Sequence, residues 1–326
     1  MIDRTNRYWR WMMRRLTQHT LMYTEMIAAP AVIRGNRRKL LSFDPSEKPL
    51  VLQLGWDQED ILAESCRIAE DFGYDEINLN CGCPSGRVQR HEFGASLMAR
   101  AQHVARLVEA MAESTSLPIT VKNRIGIRSQ KARVSLEDYG DLRRFTEIVA
   151  GAGCRKFIVH ARIAILDGLS PRENRRIPPL RPEDVYRLKA EFPRLFIEIN
   201  GGYQSSDSID EALEYVDAVM LGRVALDRPW FLSAVDRRWF GSDEPQPSRQ
   251  EVLETCIPYA IRRFEEGISR GLLIQPLMNL FAGKPGSRAW KRALSALTAT
   301  SPREFAFGLE KAAAGMSDEI LNEKST

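Results

Sequence analysis

Four polar residues stand where short apolar runs end: Gln53 after LVL, Asn80 after INL, Lys122 after ITV and His160 after KFIV. Two glycine turns follow the same rule. Asn200-Gly201-Gly202 closes FIEI, and Gly222-Arg223 closes AVML. Glycines let backbone N–H groups approach an anion and an arginine adds a charge-assisted bond, so the two turns read as a phosphate grip. The alternative is that the glycines serve tight turns alone. The pyrimidine edge of a flavin needs hydrogen bonds, and a cation near its N1 stabilises the reduced anion. Gln53 suits the first role and Lys122 the second. A lysine ending an apolar strand is otherwise costly to bury. Pairing with a nearby carboxylate is the competing account of Lys122.

Such residues need elements that bring strand ends together. Short apolar segments at Leu21–Glu25, Leu50–Leu54, Glu76–Asn80, Ile119–Lys122, Lys156–His160, Phe196–Asn200 and Ala218–Leu221 read as parallel strands covered on both faces. Amphipathic segments at Asp60–Asp71, Val104–Ala112, Asp141–Ala152 and Pro182–Glu191 alternate with them. No strand leads into a dinucleotide-type GxGxxG. Polar and glycine residues gather instead after the strands, at Cys81–Ser85, Asn123–Gly126, His160–Arg162, Gly201–Gly202 and Gly222–Arg223. This pattern predicts an α/β fold, a (β/α)8 TIM barrel with its site at the C-terminal ends of the strands. The first strand is missing from the pattern, because Met1-Ile2-Asp3 runs straight into a helix-like segment. An upstream start, a truncation or another element filling the gap would each account for that. Residues 1–241 form the expected barrel domain and 242–248 a linker. Residues 249–326 read as a small all-α domain of three or four helices, the first capped by Ser248.

Composition narrows the class. The chain has 326 residues, 44% hydrophobic and 28% charged, as expected of a globular protein. Its apolar runs are too short to span a membrane. The basic, aromatic N-terminus lacks the apolar core of a secretory signal, and Asp3 argues against a mitochondrial presequence. Five scattered cysteines (Cys66, Cys81, Cys83, Cys154 and Cys256) point to a reducing, cytoplasmic setting. Neither they nor the four histidines have zinc-site spacing, so no metal is expected. Net charge is +4, but six basic residues and no acid lie between Gly267 and Arg303. A second acid-free stretch, Asn123 to Leu136, carries Arg124, Arg128, Lys131 and Arg133. Such local excess suits a polyanionic partner, or simply a solvated face.

Several motifs carry a resemblance. EINLNCGCPSGRVQ at Glu76–Gln89 resembles the INLNxGCPS signature of tRNA-dihydrouridine synthases. So do YTEM at Tyr23–Met26, TVKNRIG at Thr120–Gly126 and HAR at His160–Arg162. GLSPRENRRIPPL at Gly168–Leu180 and LFAGKPGSRAWKR at Leu280–Arg292 resemble the A-type branch of that family. The resemblance implies FMN-dependent reduction of uridine in tRNA to 5,6-dihydrouridine, with NADPH as reductant. It implies hydride delivery to uracil C6 and protonation of C5 by a cysteine. It implies that Gln53, Lys122, His160, Asn200, Gly201, Gly202, Gly222 and Arg223 bind FMN, and that Asn80 and Arg162 lie near the uracil. Arg288, Lys291 and Arg292, on one helical face, would grip the tRNA, with the D-loop as the expected target and a monomer as the expected state.

The sequence departs from the family pattern at the acid. FGACLM of the family is Phe93-Gly-Ala-Ser96-Leu-Met98 here. A serine hydroxyl is a far weaker acid than a thiol with a pKa of about 8.5. Cys81, an extra cysteine at a strand end, is a candidate substitute; Cys83 holds the family's GCP position. A basic residue of the family's HARKA is Ile163, an Arg-His pair of the helical domain is Gln275-Pro276, and the APM segment ahead of the start is absent. Three readings stay open: an active or slow synthase, an inactive flavoprotein paralogue that binds tRNA, and a flavin oxidoreductase with another substrate.

Overall fold

A computed structural model of the chain describes residues 1–324. Its main sheet runs, in spatial order, β1 (Met22–Tyr23), β2 (Leu50–Gly55), β3 (Glu76–Cys81), β4 (Ile119–Arg124), β5 (Lys156–His160), β6 (Phe196–Asn200) and β7 (Ala218–Met220). Neighbours from β2 to β7 are parallel. All seven expected strands are present in chain order, the curled parallel sheet of a TIM-barrel-type α/β fold. A short addition, Ile27–Ala28, pairs with the end of β2. Among the described residues the path ends at β1 and β7, which do not pair with each other.

The strands form because their residues can be covered on both faces. β3 is buried at every position, and β2 and β4 at all but one. The covering helices are Glu59–Asp71, Ala101–Ser114, Tyr139–Gly151, Pro182–Glu191 and Ser206–Leu213. Their starts are chemically marked. Asp138 and Asp141 form a capping box, Pro182 occupies a first turn, and the Ser205 hydroxyl accepts from the Ser208 N–H.

Register decides which side chains share a face. Gln53 lies opposite Asn78, Asn80 opposite Lys122, Arg124 opposite His160, and His160 opposite Asn200. Partners in a ladder point the same way and neighbours along a strand point oppositely. These residues therefore share one face, and Cys81 and Asn123, also partners, share the other.

A three-stranded sheet not expected from the sequence joins Val134–Leu136, Ile127–Ser129 and Ala164–Ile165. Most of the acid-free stretch from Asn123 to Leu136 lies here, in the hairpin 127–136. Arg133 takes a left-handed φ of 52° in its turn.

Compactness divides the chain into two units, one of residues 23–42 and 50–222, the other of residues 1–22, 43–49 and 223–326. The second unit joins the two ends of the sequence. Trp11, from the helix Arg7–Met13, stacks on Tyr259 of the helix Arg249–Glu265 at 3.6 Å between centroids. Arg10 pairs with Glu47 at 2.8 Å, and the buried Arg14 donates to the carbonyls of Glu47 and Pro49. Ser248 caps the long helix through a box with Glu251. Further helices follow at Arg270–Ile274, Ser287–Ala296, Pro302–Ala314 and Asp318–Leu321. No helix among the described residues is long and apolar enough to cross a membrane.

Candidate active site

The shared face carries a continuous polar network. Gln53 Nε2 donates to Asn78 Oδ1 at 2.9 Å, and Asn80 Nδ2 donates to Gln53 Oε1 at 2.9 Å. Asn80 Oδ1 accepts from the N–H groups of Gly82 and Cys83, which folds the chain back over the end of β3. Deeper in the sheet, Asn78 donates to Thr120, Thr120 to Glu76, and Lys156 to the other oxygen of Glu76 at 3.0 Å. Lys156 also lies 3.8 Å from Glu198, whose carboxyl is pushed up by burial and held back by Lys156 and Lys122. The amides of Gln53 and Asn80 are thus pre-aligned by partners of fixed geometry.

Lys122 Nζ donates to Asn200 Oδ1 at 3.0 Å, and Asn200 Nδ2 donates to the carbonyl of Met220 at 2.8 Å. Its hydrogen-bond partner is therefore an amide, whereas Glu198 acts on it through charge. Lys122 retains some exposure, yet so much protein surrounds it that desolvation pulls its pKa down to about 7. The like charge of Arg124 acts in the same direction and Glu198 opposes it.

Arg124 stands on the same face as Lys122 and was not among the expected site residues. It is buried, and its guanidinium donates to the carbonyls of Gly82 at 3.1 Å, Asn174 at 3.2 Å and Ile163 at 3.5 Å, and lies 3.4 Å from His160 Nδ1. One side chain thus ties together the loops that follow β3 and β5. Asn174, also fully buried, donates to the carbonyls of Ile165 and Leu169 and holds the segment 165–174 closed on itself. Arg162 donates to the carbonyl of Pro178. Spacing could have revealed Arg124, because it stands two residues beyond Lys122 and must share its face.

Gly201 and Gly202 have φ of 123° and 91°, conformations that side chains rarely adopt. A Cβ on Gly202 would lie 2.6 Å from Leu180 Cδ1, and one on Gly201 would lie 3.1 Å from Leu180 Cδ2. The turn is therefore glycine by conformation and by space. Gly222 follows β7 on a neighbouring strand, and Arg223 opens the next helix, in the other unit.

Ser96 sits in the 3-10 turn Gly94–Ala99, half-buried, with its hydroxyl donating to the carbonyl of Phe93 at 2.9 Å. Cys81 is fully buried on the opposite face from Asn80, and burial raises its thiol pKa far above the ordinary value. Both placement and acidity count against it as a substitute acid. Arg288, Lys291 and Arg292 lie on the helix Ser287–Ala296, with Arg288 and Arg292 exposed and Lys291 half-buried.

Fold and polar network together define a parallel α/β barrel-type protein whose polar side chains converge at the C-terminal ends of its strands. The profile described as Dihydrouridine synthase (Dus) matches residues 1–314, and the chain belongs to that family. It is 50% identical to the tRNA-dihydrouridine(20/20a) synthase of Synechocystis sp. over 295 residues, covering 90% of this chain and 86% of that protein. It is 45% identical to the synthase of that name from Pseudomonas aeruginosa, covering 90% and 87%. The one from Escherichia coli K12 is 45% identical, with 90% and 84% covered.

Proposed function

We propose that this chain reduces uridine in tRNA to 5,6-dihydrouridine, with FMN as bound cofactor and NADPH as reductant. The supporting observation is family membership over residues 1–314, combined with the single-faced row from Gln53 to Asn200. The residues present fit a flavin mononucleotide. Amides and a cation stand at adjacent strand ends, and the turn at Gly201–Gly202, though packed by Leu180 on one side, carries no side chains of its own between its N–H groups and an anion. Bound FMN supplies hydride transfer from NADPH to uracil C6.

The chain's residues then divide the work. Gln53 and Lys122 address the ring, together with His160 and Asn200. Gly201, Gly202, Gly222 and Arg223 hold the phosphate. Asn80 and Arg162 orient a uracil turned out of its stack. The helical portion, 249–326 in this reading, brings Arg288, Lys291 and Arg292 to the tRNA backbone, with the D-loop as target. A monomer in the cytoplasm completes the reading.

Ser96 holds the sequence position of the family's cysteine that protonates C5. Its own proton is directed at the carbonyl of Phe93. We place protonation on water or on a relay through Ser96, at a reduced rate. The same hydrogen bond favours a second reading, an inactive flavoprotein paralogue that binds tRNA. Incubation of the flavin-loaded protein with unmodified tRNA and NADPH, followed by nucleoside mass spectrometry, separates the two. Dihydrouridine is expected to accumulate slowly; a flat trace with bound tRNA selects the paralogue.

A further inference from the structure

Beside the polar row lies an aromatic cluster that the proposed reaction does not use. Trp56 directly follows Gly55, the last residue of β2. Its ring centroid is 5.9 Å from that of His91, at 30° between planes, and 5.5 Å from that of Phe93, at 46°. Phe93 is buried and packs on Gly55, where a Cβ would come within 2.7 Å of its ring. Trp56 is half-buried and His91 is exposed.

The residue between the two outer rings is strained. Glu92 has φ 55°, a left-handed conformation that a non-glycine residue adopts at a cost. Its side chain gains no burial in return, being 73% exposed. The conformation does bring residues 91 and 93 to one indole. Arg100 fixes the arrangement by donating to the Glu92 carbonyl at 2.7 Å and lying 3.9 Å from the Asp57 carboxylate, so it clamps both loops. Packing alone accounts for Phe93, but not for an exposed imidazole leaning on a half-exposed indole. Trp56 Nε1 donates to Gln58 at 3.2 Å, so the indole N–H is satisfied within the chain while the ring itself stays half-exposed.

We propose that Trp56 and His91 form a stacking platform for an unpaired nucleobase flanking the uridine that is reduced. A uridine leaving its stack strips a neighbour of its partner, and aromatic side chains replace such stacking in single-stranded RNA recognition. The platform adjoins the reacting position, since Ser96, three residues along, bonds to the carbonyl of Phe93. The proposal rests on the tRNA reading above.

Flavin-loaded protein is irradiated with tRNA transcripts containing 4-thiouridine, and adducts are mapped by mass spectrometry. Adducts are expected on Trp56 or His91. Trp56→Ala is expected to weaken tRNA binding about tenfold and Trp56→Phe much less, since stacking survives in phenylalanine. FMN uptake by each variant verifies folding. Adducts only elsewhere, or unchanged tRNA affinity in Trp56→Ala, overturn the platform and leave the tRNA reading intact. A raised NADPH KM without loss of tRNA affinity overturns it in favour of the adenine of the reductant. Absence of any tRNA binding by the parent protein removes both.

Discussion

Lys122 donates to the side-chain carbonyl of Asn200, two strands away in the sheet, and no carboxylate among the described residues accepts a hydrogen bond from its ammonium. The cation is oriented but not neutralised by that bond, and burial holds its pKa at about 7 against an ordinary 10.5. Below about pH 7 both folded and unfolded chains carry this proton, and the folded chain bears the cost of burying the charge. Between there and 10.5 the unfolded chain binds more protons, so this group's contribution becomes more favourable as pH rises. Lys122→Met should therefore stabilise the FMN-free protein at about pH 6, by on the order of 3 kcal/mol. The gain should shrink toward about pH 10. Urea midpoints of parent and variant across that range test it; a gain independent of pH would refute the lowered pKa.

Ser96→Cys should restore a proton donor of suitable acidity. A positioned general acid is worth roughly 10²–10⁴-fold in rate, so dihydrouridine formation should rise by at least about a hundredfold. FMN uptake should not change. A variant that loads flavin and binds tRNA but shows no gain would mean that more than the acid is altered, with Ile163 and Gln275-Pro276 the next positions to restore.

Gly202→Ala meets two obstacles, a φ of 91° and Leu180 at 2.6 Å. Together they should cost about 1–3 kcal/mol of stability and weaken FMN binding. Adding Leu180→Ala removes the clash but not the backbone strain, so it should recover only part of the loss. Full recovery in thermal melts would show that space, not conformation, selects glycine here.

Much of this arrangement was legible in the sequence, for a physical reason. Parallel strands covered on both faces appear as short apolar runs, and every expected strand of the main sheet was found. Sequence does not contain register, so the sharing of one face by Gln53, Asn80, Lys122, His160 and Asn200 required the ladder pairings. Cys81 illustrates a signal that was present but unused. One residue beyond Asn80, it must point the other way. The three-stranded sheet was illegible because its short strands lie inside the segments that follow β4 and β5, outside the alternation of apolar run and amphipathic helix that marks the main sheet. Stacking of Trp11 on Tyr259 was illegible because nothing local announces a contact between opposite ends of a chain.

Arg124 should behave as a tether. Its guanidinium serves three carbonyls, and removing it leaves those acceptors buried and unsatisfied. Arg124→Lys cannot reproduce the fork, so about 2–4 kcal/mol should be lost. The loop 163–181 should become more susceptible to protease before global unfolding. Unchanged urea stability and an unchanged cleavage pattern in the lysine variant would show that a point charge suffices there.

Arg288 and Arg292 are exposed one helical turn apart, with Lys291 half-buried beside them and no acid in the helix Ser287–Ala296. If these cations neutralise tRNA phosphates, removing any one of them should reduce the slope of log affinity against log salt by about 0.7 to 0.9. Replacing all three by alanine should lower the slope by roughly 2 to 3 and weaken binding most at low salt. The helix itself should survive, since alanine is its best former and its buried anchors Trp290 and Leu294 are untouched. A triple variant with unchanged slope but normal helix content would place the tRNA-binding surface elsewhere. The basic hairpin 127–136 of the other unit, with Arg128 and Lys131 exposed, would then be the next surface to neutralise.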